Sequence, residues 1–370
     1  MNTKHWKQIA WGALAAVLMA GSCKEPEPIP PRGEYDGGYF VLNEGQFMHD
    51  NASLSFIKED FTEKEDSVYA KVNDGARLGD VAQSLFLHGD KAYIVVNNSH
   101  KIVVANRWHM NRLGDIVAYI KAPREMVKVS ERYALVSNWG EVFDSNWADV
   151  YDDYVAWVDM DNDVVTDTLH VGLGPTYMTF VGGNVYLSLS GVGAPNNKVA
   201  VIDPAGKSQI AEITVGDRPE RIITDDNGQV WVLCTGNPAW TGNETAGHLI
   251  QIDPATNTVV QDLNFASTQH PQYLTFDGDN DKLYYILDDK VFAMDISDAA
   301  LPARPLIDLG GDVAIPYGMD YYEGKLFVTD AVDYRSPGKV VIYDTQNGRK
   351  IGEFTTGFLP NSVKYNKWTY

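Results

Sequence analysis

The sequence repeats one pattern of apolar and polar positions with a period of about 46 residues, a length that suits a four-stranded propeller blade. A proline opens most of the repeats, and an apolar residue follows it three positions later. These pairs are Pro123 and Met126, Pro175 and Met178, Pro219 and Ile222, Pro271 and Leu274, Pro316 and Met319, and Pro360 and Val363. Ala82 and Leu85 occupy the same positions in one further repeat. The pattern therefore predicts that one structural unit occurs seven times.

Each repeat contains short apolar runs bounded by Gly, Asn and Asp, which is typical of β-strands joined by tight turns. The second runs of the complete repeats are Ala92–Val95, Tyr133–Val136, Val185–Ser188, Val230–Leu233, Leu283–Ile286 and Leu326–Val328. The third runs end in an apolar residue followed by Asp159, Asp203, Asp253, Asp295 or Asp344. An Asp at this position accepts hydrogen bonds from turn amides two residues later, so we expect these carboxylates to be structural.

The N-terminal repeat lacks a first strand. It offers a second strand at Tyr39–Leu42, a third at Ser53–Phe56 and a fourth at Val68–Ala70, whereas a single first strand, Val363–Tyr365, ends the chain. Pairing the two ends closes a ring and removes the free sheet edges. The sequence thus predicts an all-β, seven-bladed β-propeller of four-stranded blades over residues 37–370, closed by its C-terminal strand.

The Pro-apolar register and the apolar-Asp turns resemble those of the YVTN/YncE-like propeller family across residues 37–370. Three segments are more specifically similar to a surface-lipoprotein branch of that family: Tyr39–Gly45, Leu78–Gln83 and Val96–Ser99. This branch includes cobalamin-capturing proteins of the BtuG type, which lie over a TonB-dependent outer-membrane transporter. The resemblance implies a cobalamin or other corrinoid ligand, and a TonB-dependent transporter as partner.

Residues 1–22 combine a basic start, a short apolar core and a small-residue end, which predicts a signal peptide and not a transmembrane helix. The residues before Cys23 resemble a lipobox, which implies that Cys23 is lipidated; an ordinary cleaved signal with an incidental cysteine is the alternative. The Pro-rich residues 23–36 then form a flexible tether. The Lys-acidic segment after Cys23 resembles the export signal of surface lipoproteins in Bacteroidetes-type bacteria. We therefore expect a lipid-anchored protein on the outer surface of the outer membrane.

The chain is strongly acidic, with a formal net charge of −20 at pH 7. This charge disfavours nucleic acid and anionic lipid as partners, so the lipid anchor is the only expected contact with the membrane. If Cys23 carries the lipid, Cys234 is the only free cysteine of the mature chain. Cys234 follows the apolar run Val230–Leu233, which favours a buried structural thiol over a nucleophile.

The inner strands begin at one end of the ring, and the loops between the second and third strands project from the same end. The candidate ligand-binding residues lie at these strand starts and in these loops. We call this end the top face. The candidates are Phe47, Gln83, Arg124, Trp139, Phe143, Trp147, Tyr177, Arg221, Trp240, His270, Gln272, Tyr273, Tyr317, Tyr334 and Asn361. Their aromatic, amide and charged groups have no dominant charge, which suits a neutral polar ligand. The alternative for each loop aromatic residue is packing onto the base of its own loop.

The sequence contains no G-x-S-x-G, no H-E-x-x-H, no Gly-rich phosphate loop and no Cys/His cluster. Glu125, Glu220 and Asp320 are candidate channel carboxylates and His270 is a candidate base, although a structural role is the expectation for each. We predict a non-enzymatic protein, without cofactor or metal, that captures a nutrient and passes it to a transporter. A metal-dependent lactonase or lyase and a protein-docking scaffold are the alternatives.

Overall fold

The apolar runs of the repeat form β-strands, and the strands of each repeat pair with one another in chain order. The computed structural model describes residues 31–141, 150–191 and 194–368. Within these residues, 28 strands form seven antiparallel sheets of four strands each. The first strands of neighbouring sheets contact one another around the centre of the ring. The predicted seven-bladed β-propeller is therefore confirmed.

The blades follow the order of the chain, except that blade 1 takes its inner strand from the C-terminus. Blade 1 contains β1 (Gly38–Asn43), β2 (Ser53–Lys58), β3 (Lys64–Glu65) and β28 (Pro360–Asn366). Blades 2 and 3 contain β4 (Ala82–His88), β5 (Lys91–Val96), β6 (Lys101–Asn106), β7 (Arg112–Ile116), β8 (Pro123–Lys128), β9 (Tyr133–Asn138), β10 (Tyr154–Asp159) and β11 (Val164–His170). Blades 4 and 5 contain β12 (Pro175–Val181), β13 (Asn184–Leu189), β14 (Lys198–Asp203), β15 (Ser208–Thr214), β16 (Pro219–Thr224), β17 (Val230–Cys234), β18 (His248–Asp253) and β19 (Thr258–Asn264). Blades 6 and 7 contain β20 (Gln272–Asp277), β21 (Lys282–Leu287), β22 (Lys290–Asp295), β23 (Ile307–Asp308), β24 (Pro316–Tyr322), β25 (Lys325–Asp330), β26 (Lys339–Asp344) and β27 (Lys350–Thr355).

Ring closure depends on strand β1, which lies between β28 and β2. Tyr39 pairs with Tyr365 and Val41 pairs with Val363 in antiparallel register. The rings of Tyr39 and Tyr365 stack with their centroids 4.8 Å apart. The predicted closure by the C-terminal strand is therefore confirmed.

A buried asparagine secures the end of the closing strand. Asn366 is fully buried, and its Oδ1 accepts a hydrogen bond from Arg107 Nε at 2.6 Å. Its Nδ2 donates to the backbone oxygen of Tyr35 and, at 3.0 Å, to that of Arg107. Close by, the guanidinium of Arg32 stacks on Trp368, 3.2 Å from the ring centroid. Both ends of the propeller are thus held to blade 2 as well as to each other.

The hydrophobic core lies between neighbouring blades. One cluster of buried side chains joins Val199 and Val201 of blade 4 to Val232 and Ile250 of blade 5. Because both faces of the second and third strands pack against a neighbouring blade, these strands are continuous apolar runs and not alternating ones. Cys234 belongs to the same cluster, and burial raises the pKa of its thiol, in agreement with the predicted structural role.

The five predicted Asp turns are confirmed. Asp159, Asp203, Asp253, Asp295 and Asp344 each accept a hydrogen bond from the backbone amide two residues later, at 2.8 to 3.0 Å. These carboxylates therefore stabilise the turns that follow the third strands.

The prediction of a fourth strand at Val68–Ala70 is wrong. The fourth strand of blade 1 is β3, whereas Val68–Val72 forms the short helix α1. Ser67 before it has a left-handed φ of 53°, which turns the chain, and Val68 and Tyr69 are buried in the core beside blade 2. Val68 and Tyr69 are as buried in the helix as they would be in a β-strand, so their apolar character alone could not distinguish a helix from a strand here.

Several predicted features fall outside the described residues. They are the signal peptide at 1–22, the lipidated Cys23 and most of the tether, together with Phe143 and Trp147 of the candidate site. Among the residues that are described, we find no helix with both the length and the apolar character needed to span a membrane.

We predict that Asn366→Ala lowers the free energy of unfolding by about 3 kcal/mol, because the change leaves the backbone oxygens of Tyr35 and Arg107 without this buried donor. Denaturant unfolding followed by tryptophan fluorescence measures the loss. Asn111→Ala is the control, because Asn111 is exposed and its side chain has no hydrogen bond among the described residues. Equal stability of the two variants would show that Asn366 does not secure the ring.

Candidate functional site

All seven inner strands, each of them fully described, contain a β-bulge near their first residue. In β8, for example, Pro123 pairs with Asn138 and Met126 with Val136, so two residues of the inner strand oppose only one of its partner. A bulge re-aims the side chains of its unpaired residues. The residues left unpaired in this way are Gln83, Arg124, Glu125, Thr176, Tyr177, Glu220, Tyr273, Leu274, Tyr317 and Asn361. Most of the predicted top-face residues of the inner strands are therefore bulge residues.

Serine hydroxyls of the second strands satisfy the backbone of these bulges. Ser137 Oγ accepts a hydrogen bond from the amide of Glu125 at 3.1 Å and donates to the carbonyl of Thr176 in the next blade at 2.7 Å. Ser188 does the same one blade further, since it accepts from the Tyr177 amide at 3.0 Å and lies 3.3 Å from the Glu220 carbonyl. Each hydroxyl thus joins the bulge of its own blade to the bulge of the next.

Other side chains connect neighbouring blades at three further boundaries. Asn361 Nδ2 donates to the backbone oxygens of Ala82 and Gln83, at 2.9 and 3.2 Å. Asn97 Nδ2 donates to the Pro123 oxygen at 3.0 Å, and the Tyr273 hydroxyl donates to the Pro316 oxygen at 3.1 Å. These bonds hold the bulges of neighbouring blades in a fixed relation around the top face.

Two adjoining cavities open within the ring of bulges. The channel cavity has a volume of about 210 Å³ and is lined by Glu44, Gln83, Ser84, Arg124, Glu125, Tyr177, Glu220, Arg221, Tyr273, Tyr317, Asn361, Ser362 and Lys364. The rim cavity has a volume of about 590 Å³ and is lined by Arg124, Trp139, Thr176, Tyr177, Ser190, Gly191, Arg218, Glu220, Thr235, Gly236, Pro238, Trp240, His270, Gln272 and Tyr273. Four residues line both: Arg124, Tyr177, Glu220 and Tyr273. The two cavities therefore form one continuous depression.

Two guanidinium groups at this depression stack on aromatic rings. Arg124 lies 4.0 Å from the ring centroid of Trp139, and Arg221 lies 4.1 Å from that of Tyr177. The Nε atoms of both arginines are buried without an acceptor among the described residues. Trp139 Nε1 is also buried without an acceptor among the described residues. The site therefore presents several donors that its own described side chains do not satisfy.

The carboxyl groups of the depression are buried as well. Burial raises the pKa of Glu44, Glu125 and Glu220, although nearby positive charges oppose the shift in each case. Glu44 accepts hydrogen bonds from Tyr317 at 3.2 Å and Asn361 at 3.4 Å. Glu220 Oε2, by contrast, is buried without a donor among the described residues. Carboxyl groups with perturbed pKa values in a cleft are typical of functional sites.

Trp240 projects from the rim on a braced loop. Its side chain is 79% exposed and belongs to the short 3₁₀ helix Ala239–Thr241. Beneath it, the buried Asn237 donates to Asp217 at 2.9 Å and accepts from Arg218 Nε at 3.0 Å. A large aromatic ring held exposed on a braced loop is typical of a binding anchor.

The sequence-predicted candidates occupy different parts of this site. The channel cavity is lined by Gln83, Arg124, Tyr177, Arg221, Tyr273, Tyr317 and Asn361, and the rim cavity also by Trp139, Trp240, His270 and Gln272. Tyr334 packs edge-on against Tyr317 with ring centroids 6.0 Å apart, and Phe47 is 65% exposed; neither lines the two cavities.

Sequence reasoning missed Glu44, Lys364 and Arg218 as cavity residues. Glu44 directly follows β1. Arg218 directly precedes Pro219, which opens the repeat of blade 5, so its position in the repeat could have identified it as a site residue. Lys364 lies within β28, 3.8 Å from Asp320. The charges of Tyr322 and Asp320 raise the pKa of Lys364. No spacing rule marks this lysine as a channel residue.

The candidate base His270 has both ring nitrogens engaged. Its Nδ1 lies 2.8 Å from the backbone oxygen of Thr235, and its Nε2 lies 3.3 Å from Glu244 Oε1. Within the described residues, no three His, Cys, Asp or Glu side chains are grouped as metal ligands would be. The arrangement offers hydrogen bonding, stacking and charge, which are the means of binding a polar ligand.

Comparison with known proteins places this architecture in a family. Residues 37–354 match the family described as a domain of unknown function, DUF5074. The chain belongs to the DUF5074 family. None of the curated protein sequences matches this DUF5074 chain.

Solved structures similar to the DUF5074 propeller have diverse functions. A periplasmic gluconolactonase of Pseudomonas aeruginosa, PpgL, has 12% identity and a TM-score of 0.65, over 88% of this chain and 98% of that one. A protein from Lactobacillus plantarum has 13% identity and a TM-score of 0.63, over 89% and 98%. Hydrazine synthase of Kuenenia stuttgartiensis has 15% identity and a TM-score of 0.57, over 76% and 88%. At these identities the likeness shows the fold alone.

Asp153 provides a test of the electrostatics beside the site. It is 2% exposed, and its Oδ1 accepts a hydrogen bond from the amide of Gly174, the left-handed residue before the inner strand of blade 4. Burial raises the pKa of Asp153 from 3.8 to about 6. The folded protein therefore binds this proton more tightly than the unfolded chain, so stability falls as pH rises from about 4 to about 6.

We predict that Asp153→Asn removes this pH dependence and makes the protein more stable at pH 7, by at most about 3 kcal/mol. Urea unfolding at about pH 4 and pH 7 measures the effect as a difference from the wild type. Asp226→Asn, at an exposed position, is the control. If both variants keep the slope of the wild type, the Asp153 carboxyl is not the group that titrates.

Proposed function

We propose that the protein is a non-catalytic ligand-binding protein that captures a polar nutrient in the depression of the top face. The observation that carries the proposal is a group of buried polar atoms there that find no partner among the described residues: the Nε atoms of Arg124 and Arg221, Trp139 Nε1 and Glu220 Oε2. A buried polar atom without a partner costs about 1–3 kcal/mol, so a ligand that supplies matching groups recovers this free energy on binding.

The size and the lining of the depression support this proposal. The channel and rim cavities, about 210 and 590 Å³, adjoin and together lie in the range of sites for small organic ligands. Trp240 and Trp139 provide apolar ring surface at the rim, whereas arginines and carboxyl groups supply directed polar contacts near the channel. This combination of an apolar surface with a few oriented polar groups is typical of small-molecule sites.

We propose further that the nutrient is cobalamin or another corrinoid, and that the protein passes it to a TonB-dependent transporter while anchored to the outer membrane through Cys23. The sequence resemblance to surface lipoproteins of the BtuG type supports this part. The chemistry is compatible, because a corrinoid is a broad disc fringed with amides. Amide oxygens can accept hydrogen bonds from the arginines and Trp139, and amide nitrogens can donate to Glu220.

We propose binding without catalysis because both ring nitrogens of the candidate base, His270, already contact acceptor atoms of the protein. The ring nitrogens of His270 contact a carbonyl oxygen and the Glu244 carboxylate, so a substrate would have to displace Glu244 to reach Nε2. The fold similarity to a gluconolactonase makes lactone hydrolysis the activity to assay. Turnover of a lactone by the purified protein would contradict the non-catalytic proposal.

We predict that cyanocobalamin binds the purified protein at micromolar concentration and that Trp240→Ala weakens the binding at least about tenfold, or by about 1.4 kcal/mol. Isothermal titration calorimetry and the visible spectrum of the corrinoid measure the binding. Tyr119→Ala is the matched control, because Tyr119 is an aromatic residue of comparable exposure, 72%, that lines neither cavity.

Two outcomes would count against the proposal. If the wild type gives neither heat nor a spectral shift with cyanocobalamin, the proposal of a corrinoid ligand is wrong. Binding that Trp240→Ala and Tyr119→Ala leave equally unchanged would show that the depression is not the binding site.

A further inference from the structure

We infer that the ligand carries an oxyanion, a carboxylate or a phosphate ester, which Arg124 binds where the channel and rim cavities meet and Arg221 binds from the channel cavity. The inference rests on the proposed function, since it names the chemistry of the ligand in the same site. It departs from the neutral ligand that the sequence predicts.

Arg124 lies where the two cavities meet, because it lines both of them. Its guanidinium stacks on Trp139, and its buried Nε has no hydrogen-bond partner among the described residues. A stacked guanidinium keeps its planar edge free, and that edge matches the two oxygens of a carboxylate or phosphate. The stacking therefore orients Arg124 for a partner that the described protein residues do not supply.

Arg221 and Tyr177 complete the arrangement from neighbouring blades. The guanidinium of Arg221 lies 4.1 Å from the ring centroid of Tyr177, and the charges of both arginines act on the Tyr177 hydroxyl. Among the described residues, the Tyr177 hydroxyl has no hydrogen-bond partner and Arg221 has no ion pair. An oxyanion between the two arginines would thus accept hydrogen bonds from two guanidinium groups and, in addition, from a phenol.

The electrostatic surroundings of Arg124 favour a negatively charged ligand group at this residue. Burial lowers the pKa of Arg124 even though Tyr177 and Glu44 act in the opposite direction, so the surroundings do not fully compensate its charge. Glu44, the carboxyl group with the largest effect on the pKa of Arg124, already accepts hydrogen bonds from Tyr317 and Asn361. A ligand oxyanion at Arg124 supplies negative charge there, whereas at Arg221 the charges of Tyr177 and Glu220 already raise the pKa against the effect of burial.

Three naphthalene probes of similar shape test the inference: 2-naphthoate, 1-naphthyl phosphate and 2-naphthamide. Each is titrated into the purified wild type at pH 7, and dissociation constants are measured by ligand-observed NMR. We expect at least one anion to bind about tenfold more tightly than the amide. The tighter of the two anions identifies the source of the oxyanion, a carboxylate or a phosphate ester.

Variants assign the preference to Arg124. Arg124→Gln is expected to remove the preference for the anion and to leave the amide nearly unchanged, whereas Arg124→Lys keeps part of it because the charge remains without the planar fork. Arg304→Gln is the matched control at an exposed position. Circular dichroism and thermal melting establish that each variant is folded, and Arg124→Lys preserves the test if Arg124→Gln does not fold.

The outcomes separate this inference from the proposed function. If all three probes bind equally, and Trp240→Ala weakens all three while Arg124→Gln weakens none, the oxyanion is overturned and the ligand site stands. If both anions bind but Trp240→Ala and Arg124→Gln leave them unchanged, the anions bind elsewhere and the oxyanion inference fails, whereas the cyanocobalamin titration decides the proposed site. No saturable binding of either anion at millimolar concentration overturns the oxyanion alone, because the cyanocobalamin titration tests the site independently.

Discussion

The structure depends on hydrogen bonds that cross from one blade to the next at the bulges of the inner strands. A bulge frees backbone groups from the sheet, and a buried backbone group must find another partner. Ser137, Ser188 and Asn361 supply that partner, and each of them bonds to the backbone of the following blade. The same bonds that satisfy the bulges therefore fix the angles between blades and, with them, the shape of the depression.

This arrangement explains how a repetitive fold carries a non-repetitive site. The backbone of each bulge is similar, but the side chains differ, and those of most blades line the channel cavity. Arg124, Tyr177 and Tyr273 occupy equivalent bulges in successive or nearby blades. Tyr273 even has a left-handed φ of 58°, a conformation that costs a non-glycine residue about 1–3 kcal/mol and that the bond to Pro316 helps to maintain.

The repeat made most of the fold predictable, because both faces of each blade are buried and every blade needs the same apolar runs. The Asp turns were predictable for a local reason, since the carboxylate bonds within its own turn. Local patterns failed where tertiary contacts decide: Val68 and Tyr69 are buried equally well by a helix or a strand. In the site, Arg124 and Trp240 could be proposed from their positions in the repeat, whereas the approach of Lys364 and Glu44 to the channel depends on pairing between distant strands.

Closure of the ring by Val41 and Val363 has a consequence for how the protein folds. These partners are separated by almost the whole chain, so their pairing contributes contacts of very long sequence separation, which slow folding. The channel cavity is lined by residues of all seven blades and therefore exists only when the ring is closed. A molecule that occupies the cavity then binds the closed ring alone, so it stabilises the folded protein by mass action and slows its reopening.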